Sequence, residues 1–167
     1  MSADAAAAAA VSYAAGAATA EQIAAHLVRC DARFQPSLSA RVDIASYAAK
    51  LSAHASRFEA WSDGQLVGLV AAYCNDLTRG TAYITSVSVL EKWAGLGIAT
   101  TLLRRCIDYA KLEGFRQIRL EVSSSSHRAI ELYRKCGFSA RGPEGSSMSM
   151  TIDLGASEAA RYARLQR

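Results

Sequence analysis

Residues 86–100 read Ser-Val-Ser-Val-Leu-Glu-Lys-Trp-Ala-Gly-Leu-Gly-Ile-Ala-Thr. The stretch from Ala82 to Val89 is rich in Val, Ile, Thr and Tyr, which predicts a strand. Ala94-Gly95-Leu96-Gly97 interrupts it and opens a helix with a stripe of Ile98, Leu102, Leu103, Cys106, Ile107 and Ala110, ended by Gly114. A strand that runs through a glycine turn into a helix is an anion site in outline. The helix start presents unpaired N–H groups and the positive end of the macrodipole. Gly95 and Gly97 lack Cβ atoms, so a phosphate can approach their backbone closely. No Gly-Lys-Ser/Thr follows, which excludes a Walker A loop, and Thr100 stands where a dinucleotide fingerprint needs glycine.

Downstream, Ile118, Leu120 and Val122 alternate with Arg119 and Glu121, predicting a strand. Ser123–Ser126 lead into a helix carrying Ala129, Leu132, Tyr133 and Cys136, ended by Gly137. Phe138–Arg141 and Ser147–Leu154 read as a strand pair across a Gly-Pro-Glu-Gly turn, with Met148, Met150, Ile152 and Leu154 alternating with polar residues. Upstream, Thr19 and Gln22 have capping-box spacing, so a helix is expected over 20–31. Ser39 is placed to cap a second helix with a stripe of Ile44, Tyr47, Ala48 and Leu51. Arg57–Trp61 and Leu66–Cys74 read as strands joined at Asp63-Gly64. The order ααββ-β-α-β-α-ββ predicts an α/β fold with a mixed sheet and helices on both faces.

The chain has 167 residues, 51% apolar and 20% charged, which is globular composition. No apolar run reaches the ~18 residues of a membrane span. The net charge of +4 is spread without a dense basic block, so nucleic acid is not an expected partner. Cys30, Cys74, Cys106 and Cys136 have no CxxC or zinc-ligand spacing. They read as reduced, mostly buried side chains of a cytoplasmic protein, with no metal site expected. Residues 1–18 are alanine-rich, hold Asp4 and lack Lys or Arg, which reads as a disordered or fraying tail rather than a secretory leader. A single domain is expected over 19–155, followed by a basic tail or short helix at 156–167.

Two pieces in order resemble the GNAT family, the GCN5-related N-acetyltransferases. Ser86-Val87-Ser88-Val89 followed by Ala94-Gly95-Leu96-Gly97-Ile98-Ala99-Thr100 resembles the family's acyl-CoA motif, Q/R-x-x-G-x-G/A. Gly97 and Ala99 fit, whereas Ala94 departs from the usual Gln or Arg. Ser126 to Phe138 is similar to the N-x-x-A-x-x-L-Y-x-K-x-G-F signature. Ala129, Leu132, Tyr133, Lys135, Gly137 and Phe138 fit, and Ser126 replaces Asn; its hydroxyl is placed to cap the helix or contact the CoA arm. The resemblance implies an acyl-CoA N-acyltransferase fold: a mostly antiparallel, twisted central sheet whose middle strands, near 82–90 and 117–122, splay at their C-terminal ends.

The resemblance also implies acetyl transfer from acetyl-CoA to a primary amine. Backbone groups of Val87, Ser88 and Val89 would hold pantetheine and stabilise the oxyanion. Ala94, Gly95, Leu96, Gly97, Ile98, Ala99 and Thr100 would cradle the pyrophosphate, with Ser126 and Tyr133 completing the cofactor set. Tyr133 would protonate the departing thiolate. Glu121, twelve residues before it in a Leu-Glu-Val strand, is the candidate base, with a structural ion pair to Arg119 as the alternative and Asp76 as a more distant base. Phe34, Tyr47, Tyr73 and Tyr83 are candidate acceptor-lining residues, each equally suited to the core. The acceptor is read as a small molecule such as an amino sugar, amino-acid derivative or polyamine. A protein N-terminus or lysine is the alternative, and a non-catalytic acyl-CoA-binding regulatory domain is the alternative from another class. No membrane partner is expected, and a homodimer is left open.

Overall fold

The capping box at Thr19 forms as spaced. Gln22 N donates to Thr19 Oγ1 at 3.1 Å, and Thr19 N donates to the Gln22 side-chain oxygen at 2.9 Å. Helix α1 (Ala20–Cys30) follows and buries Ile23, His26, Leu27 and Cys30 along one face. The computed structural model describes residues 10–76, 78–155 and 165–166. The remaining helices are α2 (Ile44–His54), α3 (Ile98–Leu112) and α4 (His127–Lys135). Seven strands, β1 (Ser12–Ala15), β2 (Ser56–Ser62), β3 (Gln65–Tyr73), β4 (Thr81–Val89), β5 (Gln117–Ser123), β6 (Ser139–Glu144) and β7 (Ser147–Asp153), form one sheet in the order β1-β2-β3-β4-β5-β7-β6.

The chain divides into two compact units, residues 1–71 with 86–102, and residues 72–85 with 103–167. In the first, β1 pairs antiparallel with β2, Ser12 opposite Trp61 and Ala15 opposite Phe58. The tail expected over residues 1–18 is therefore corrected: Ser12–Ala15 is a sheet strand and Ala18 is buried. Residues 1–9 lie outside the described residues, as do 156–164 and 167 of the expected C-terminal tail. The β2–β3 connection is a two-residue turn with positive φ at Asp63 (48°) and Gly64 (74°), the geometry whose twist matches paired strands.

Position 68 of β3 requires glycine for a packing reason. A Cβ there would lie 2.8 Å from Ile98 Cγ2, 3.2 Å from Leu102 Cδ1 and 3.3 Å from Ala60 Cβ. The missing side chain lets the first turn of α3 rest directly on β3. Asp43, not Ser39, caps α2: its carboxylate accepts from Ser46 N at 3.1 Å. Ser39 lies in a 3-10 turn, where its amide and hydroxyl both donate to Asp31.

In the second unit, β4 and β5 run parallel with Thr81 opposite Gln117 and Ile84 opposite Leu120. The register ends there, although β4 continues to Val89 and β5 to Ser123. The pairing thus takes in only the first four residues of β4. β5 and β7 pair antiparallel along their whole lengths. Ser149 and Thr151 are buried together with Met150, so β7 is covered on both faces, not one. Its partner β6 runs to Glu144, taking in the first three residues of the Gly-Pro-Glu-Gly segment that reads as a turn in the sequence. Proline is tolerated because β6 is an edge strand with a register shift between Ala140 and Pro143.

A buried ion pair ties the first unit together. Glu59 is fully buried and accepts from Ala17 N, Ala18 N, Trp61 Nε1 and Arg57 Nε. Arg57 spends its other nitrogens on the carbonyls of Leu51, Ser52 and Ala18. The pair thus joins the end of α2 to the β1–α1 junction. Glu59→Ala should destabilise the protein by about 3–5 kcal/mol in urea unfolding, because it strands the buried Arg57 charge. A combined Arg57→Met and Glu59→Leu variant should lose distinctly less.

Candidate functional site

The glycine segment lies wholly within the first unit. From Val89 the chain passes through Leu90, whose amide donates to Val67 O at 2.9 Å, into a 3-10 turn at Glu91–Trp93. Gly95 and Gly97 have φ of 77° and 81°, which side-chain-bearing residues rarely adopt. A Cβ built on either meets nothing within 4 Å, so the space above both is open. Gly97 O accepts Thr101 N at 3.1 Å, the first bond of α3. The amides of Ile98, Ala99 and Thr100 precede that bond and have no partner inside the helix. These donors, the positive helix end and the open glycine surface fit a diphosphate. Ala94 is exposed and extended, with φ −68° and ψ 150°, and adds no side-chain donor.

In β4, Ser86 and Ser88 are buried while Val87 and Val89 are half-buried. Ser86 Oγ is buried without a hydrogen-bond partner among the described residues. Ser88 Oγ lies 2.8 Å from His26 Nε2, and His26 Nδ1 lies 2.9 Å from Leu66 O. A carbonyl only accepts, so Nδ1 carries the proton and Nε2 accepts from the Ser88 hydroxyl. Cys30 Sγ approaches the same nitrogen at 3.7 Å. Burial pushes the His26 pKa down to about 4, outweighing the Leu66 carbonyl, which works the other way. Sequence reasoning passed over His26, although its place between Ile23 and Cys30 on the apolar face of α1 marks it as buried.

The remaining candidates lie in the second unit. Tyr133 on α4 is 8% exposed, and its ring meets Phe138 edge-on at 6.1 Å. Burial, with Cys136 adding a smaller push, raises its pKa to about 12. Tyr133 therefore stays protonated across the physiological range. Ser126 precedes α4 but makes no side-chain capping bond, so the capping role is corrected. Glu121 points away from buried Ile118, Leu120 and Val122, and is paired with Arg119 at 3.1 Å with both side chains nearly half exposed.

Asp76 lies in the loop before β4. Its carboxylate accepts from Thr78 N and Oγ1, Gly80 N and Thr81 N, and the two Thr78 bonds lead in holding it down at about 2. An open recess of about 250 Å³ lined by Gly80, Thr81, Arg116, Gln117 and Asp153 lies at the start of β4, the opposite end of that strand from the glycine segment. Of the cysteines, Cys30 and Cys106 are buried, whereas Cys74 and Cys136 are only half-buried; none of the four forms a disulfide. Phe34, Tyr47, Tyr73 and Tyr83 are half-buried. Among the described residues no group of three metal-ligating side chains occurs, and no helix is long and apolar enough to cross a membrane.

A mixed sheet whose fourth strand feeds a glycine turn at the start of a helix defines an α/β protein. The model of the Acetyltransferase (GNAT) family matches residues 20–138, and the chain belongs to that family. An uncharacterized N-acetyltransferase of Methanocaldococcus jannaschii is 38% identical over 80 residues, covering 46% of this chain and 35% of that protein. N-alpha-acetyltransferase 30 of Schizosaccharomyces pombe is 31% identical over 84 residues, covering 48% of this chain and 55% of that protein. The chain thus spans about a third to a half of these curated relatives. A protein of Salmonella typhimurium solved with its cofactor acetyl-CoA shares the fold, at a TM-score of 0.70 and 20% identity over 90% of this chain and 98% of that one.

The lowered His26 pKa sets a pH dependence of stability. Above pH 6.5 the ring is neutral in both folded and unfolded chains. Between 6.5 and about 4 the unfolded chain takes up a proton that the folded one refuses, so stability falls as pH falls. Urea unfolding from pH 7 to pH 4 should show a loss of about 3 kcal/mol from this group. His26→Gln should abolish that part of the slope.

Proposed function

We propose that the protein transfers an acetyl group from acetyl-CoA to a primary amine, with residues 19–155 as the catalytic domain. The observation that carries this reading is the open surface over Gly95 and Gly97 at the start of α3. In this reading Ala94, Gly95, Leu96, Gly97, Ile98, Ala99 and Thr100 hold the pyrophosphate, chiefly through backbone N–H groups. Val87, Ser88 and Val89 hold the pantetheine as an added strand would be held. Ser126 contributes a hydroxyl to the CoA arm. The location in this proposal is cytoplasmic.

Acetyl-CoA supplies the activated thioester. The neutral amine nitrogen attacks its carbonyl carbon, the N–C bond forms, the C–S bond breaks with CoA leaving as a thiolate, and the positively charged nitrogen gives up one N–H proton to water. A lysine-like amine with a pKa of ~10.4 must first lose a proton. Glu121 is proposed to take it through water, which requires it to release Arg119; that exposed pair is worth only ~0–1 kcal/mol. Tyr133 is proposed to donate to the departing sulfur. Its pKa of about 12 lies above that of a thiol, so it acts first as a hydrogen-bond donor to the developing charge.

The acceptor is proposed to be a small-molecule amine, with half-buried Phe34, Tyr47, Tyr73 and Tyr83 as its apolar contacts. The second reading, a protein N-terminus, is favoured by the likeness to N-alpha-acetyltransferase 30. Release of free thiol from acetyl-CoA with amino sugars, amino-acid derivatives, polyamines and short peptides separates the two. Turnover confined to peptides would select the second reading. Tight acetyl-CoA binding without turnover on any acceptor would point to a non-catalytic acyl-CoA-binding domain.

Gly97→Glu should lower acetyl-CoA affinity at least ~10-fold by calorimetry while the protein stays folded, because it puts a carboxylate where the diphosphate belongs and strains a positive φ. Unchanged affinity would contradict the cradle. Tyr133→Phe should keep acetyl-CoA affinity and lower kcat by ~10²-fold, the lower end for general acid catalysis where water substitutes. Glu121→Gln should depress kcat at neutral pH and recover as pH rises and the amine deprotonates unaided. Wild-type rates in both variants with saturating amine would remove both roles.

A further inference from the structure

We propose that His26 is a positioning residue for acetyl-CoA, acting through the Ser88 hydroxyl on the segment Val87–Val89. This rests on the reading of that segment as the pantetheine strand. The ring is 2% exposed and bridges two strands: Nδ1–H donates to Leu66 O of β3, and Nε2 accepts from Ser88 Oγ of β4. Beyond Ile84, β4 has no register with β5, so the tail lacks a ladder on that side. On its other side β4 pairs with β3, and two further links to the start of β3 fix its last residues: the His26 bridge from Leu66 and the Leu90 amide bond to Val67 O.

Ser88 lies between the two valines whose backbone groups would pair with pantetheine. Successive side chains in a strand point to opposite faces. Fixing Ser88 to the α1 side therefore sets where the peptide groups on either side of it stand. A serine with no fixed partner would leave those donors to be ordered at the moment of binding, which weakens affinity. Imidazole suits the task because it donates from one edge and accepts at the other, and burial keeps it neutral. The Cys30 thiol at 3.7 Å is a weaker second donor to the same nitrogen and does not replace the hydroxyl.

The test is acetyl-CoA affinity by calorimetry, with the KM of a working amine measured at saturating acetyl-CoA. Ser88→Ala and His26→Asn should each raise the acetyl-CoA Kd by about 10-fold, the size of one net hydrogen bond. The amine KM should stay within about twofold, since the change acts on the cofactor strand. Combining the two substitutions should cost no more than the larger alone, because both remove one interaction. Ser88→Thr, which keeps the hydroxyl, should restore affinity.

Kd within about twofold of wild type in a folded Ser88→Ala protein, with only its unfolding midpoint lowered, would reduce the bridge to a stability element and overturn the proposal. Additive effects of Ser88→Ala and His26→Asn, or failure of Ser88→Thr to restore binding, would overturn it equally. If His26→Asn does not fold, the Ser88→Ala and Ser88→Thr pair decides alone. Wild-type protein that does not bind acetyl-CoA would sink the cofactor reading itself. Wild-type binding that Gly97→Glu abolishes and Ser88→Ala leaves intact would sink only the His26 role.

Discussion

Parallel pairing between β4 and β5 stops at Ile84 and Leu120, and the candidate site follows from that stop. A strand that leaves its neighbour must satisfy its backbone groups elsewhere. Here β4 runs on through Val87–Val89, is tied to β3 at Val67 and through His26, and turns at Gly95 and Gly97 into α3. With the pairing to β3, each of these devices fixes a piece of main chain that has no register with β5. In the proposed function, acetyl-CoA offers an extended arm to the end of β4 and a diphosphate to the glycine turn.

Glycine serves two distinct purposes along this route. At Gly95 and Gly97 the requirement is conformational, since both hold positive φ over open space. At Gly68 it is steric, because α3 begins against β3 too closely for a Cβ. The first pair shapes the surface offered to a ligand; the third fixes the helix whose N-terminus faces it. Ala94 adds no side-chain donor, which leaves the cradle to the main chain and the helix end.

The parts of this architecture that were legible beforehand are those written in local spacing. The Thr19–Gln22 box, the Asp63-Gly64 turn, the α3 stripe and the alternation of β5 each fix their element within a few residues. What could not be read depends on distant partners. β1 lies in an alanine-rich segment with weak intrinsic strand preference and exists by pairing with β2, more than forty residues on. Ser39 and Asp43 are both good capping types; the Ser46 amide bonds to Asp43, while Ser39 is engaged with the more distant Asp31. Pro143 reads as a turn until the strand holding it proves to be an edge. Arg57 and Glu59, two residues apart in a strand, form a buried pair whose other partners lie at Ala17 and Ala18, about forty residues earlier. His26 was visible on the apolar face of α1, but its partners Leu66 and Ser88 are forty and sixty-two residues away.

The central claim is that the end of β4 and the start of α3 form one continuous cofactor surface in main-chain atoms. The most direct measurement is a backbone-amide NMR titration of the intact protein with acetyl-CoA. The account predicts saturable shifts concentrated on Val87–Val89 and on Gly95–Thr100. Shifts that spare those amides, or that gather instead at Thr81, Arg116 and Asp153 around the recess at the other end of β4, would contradict it.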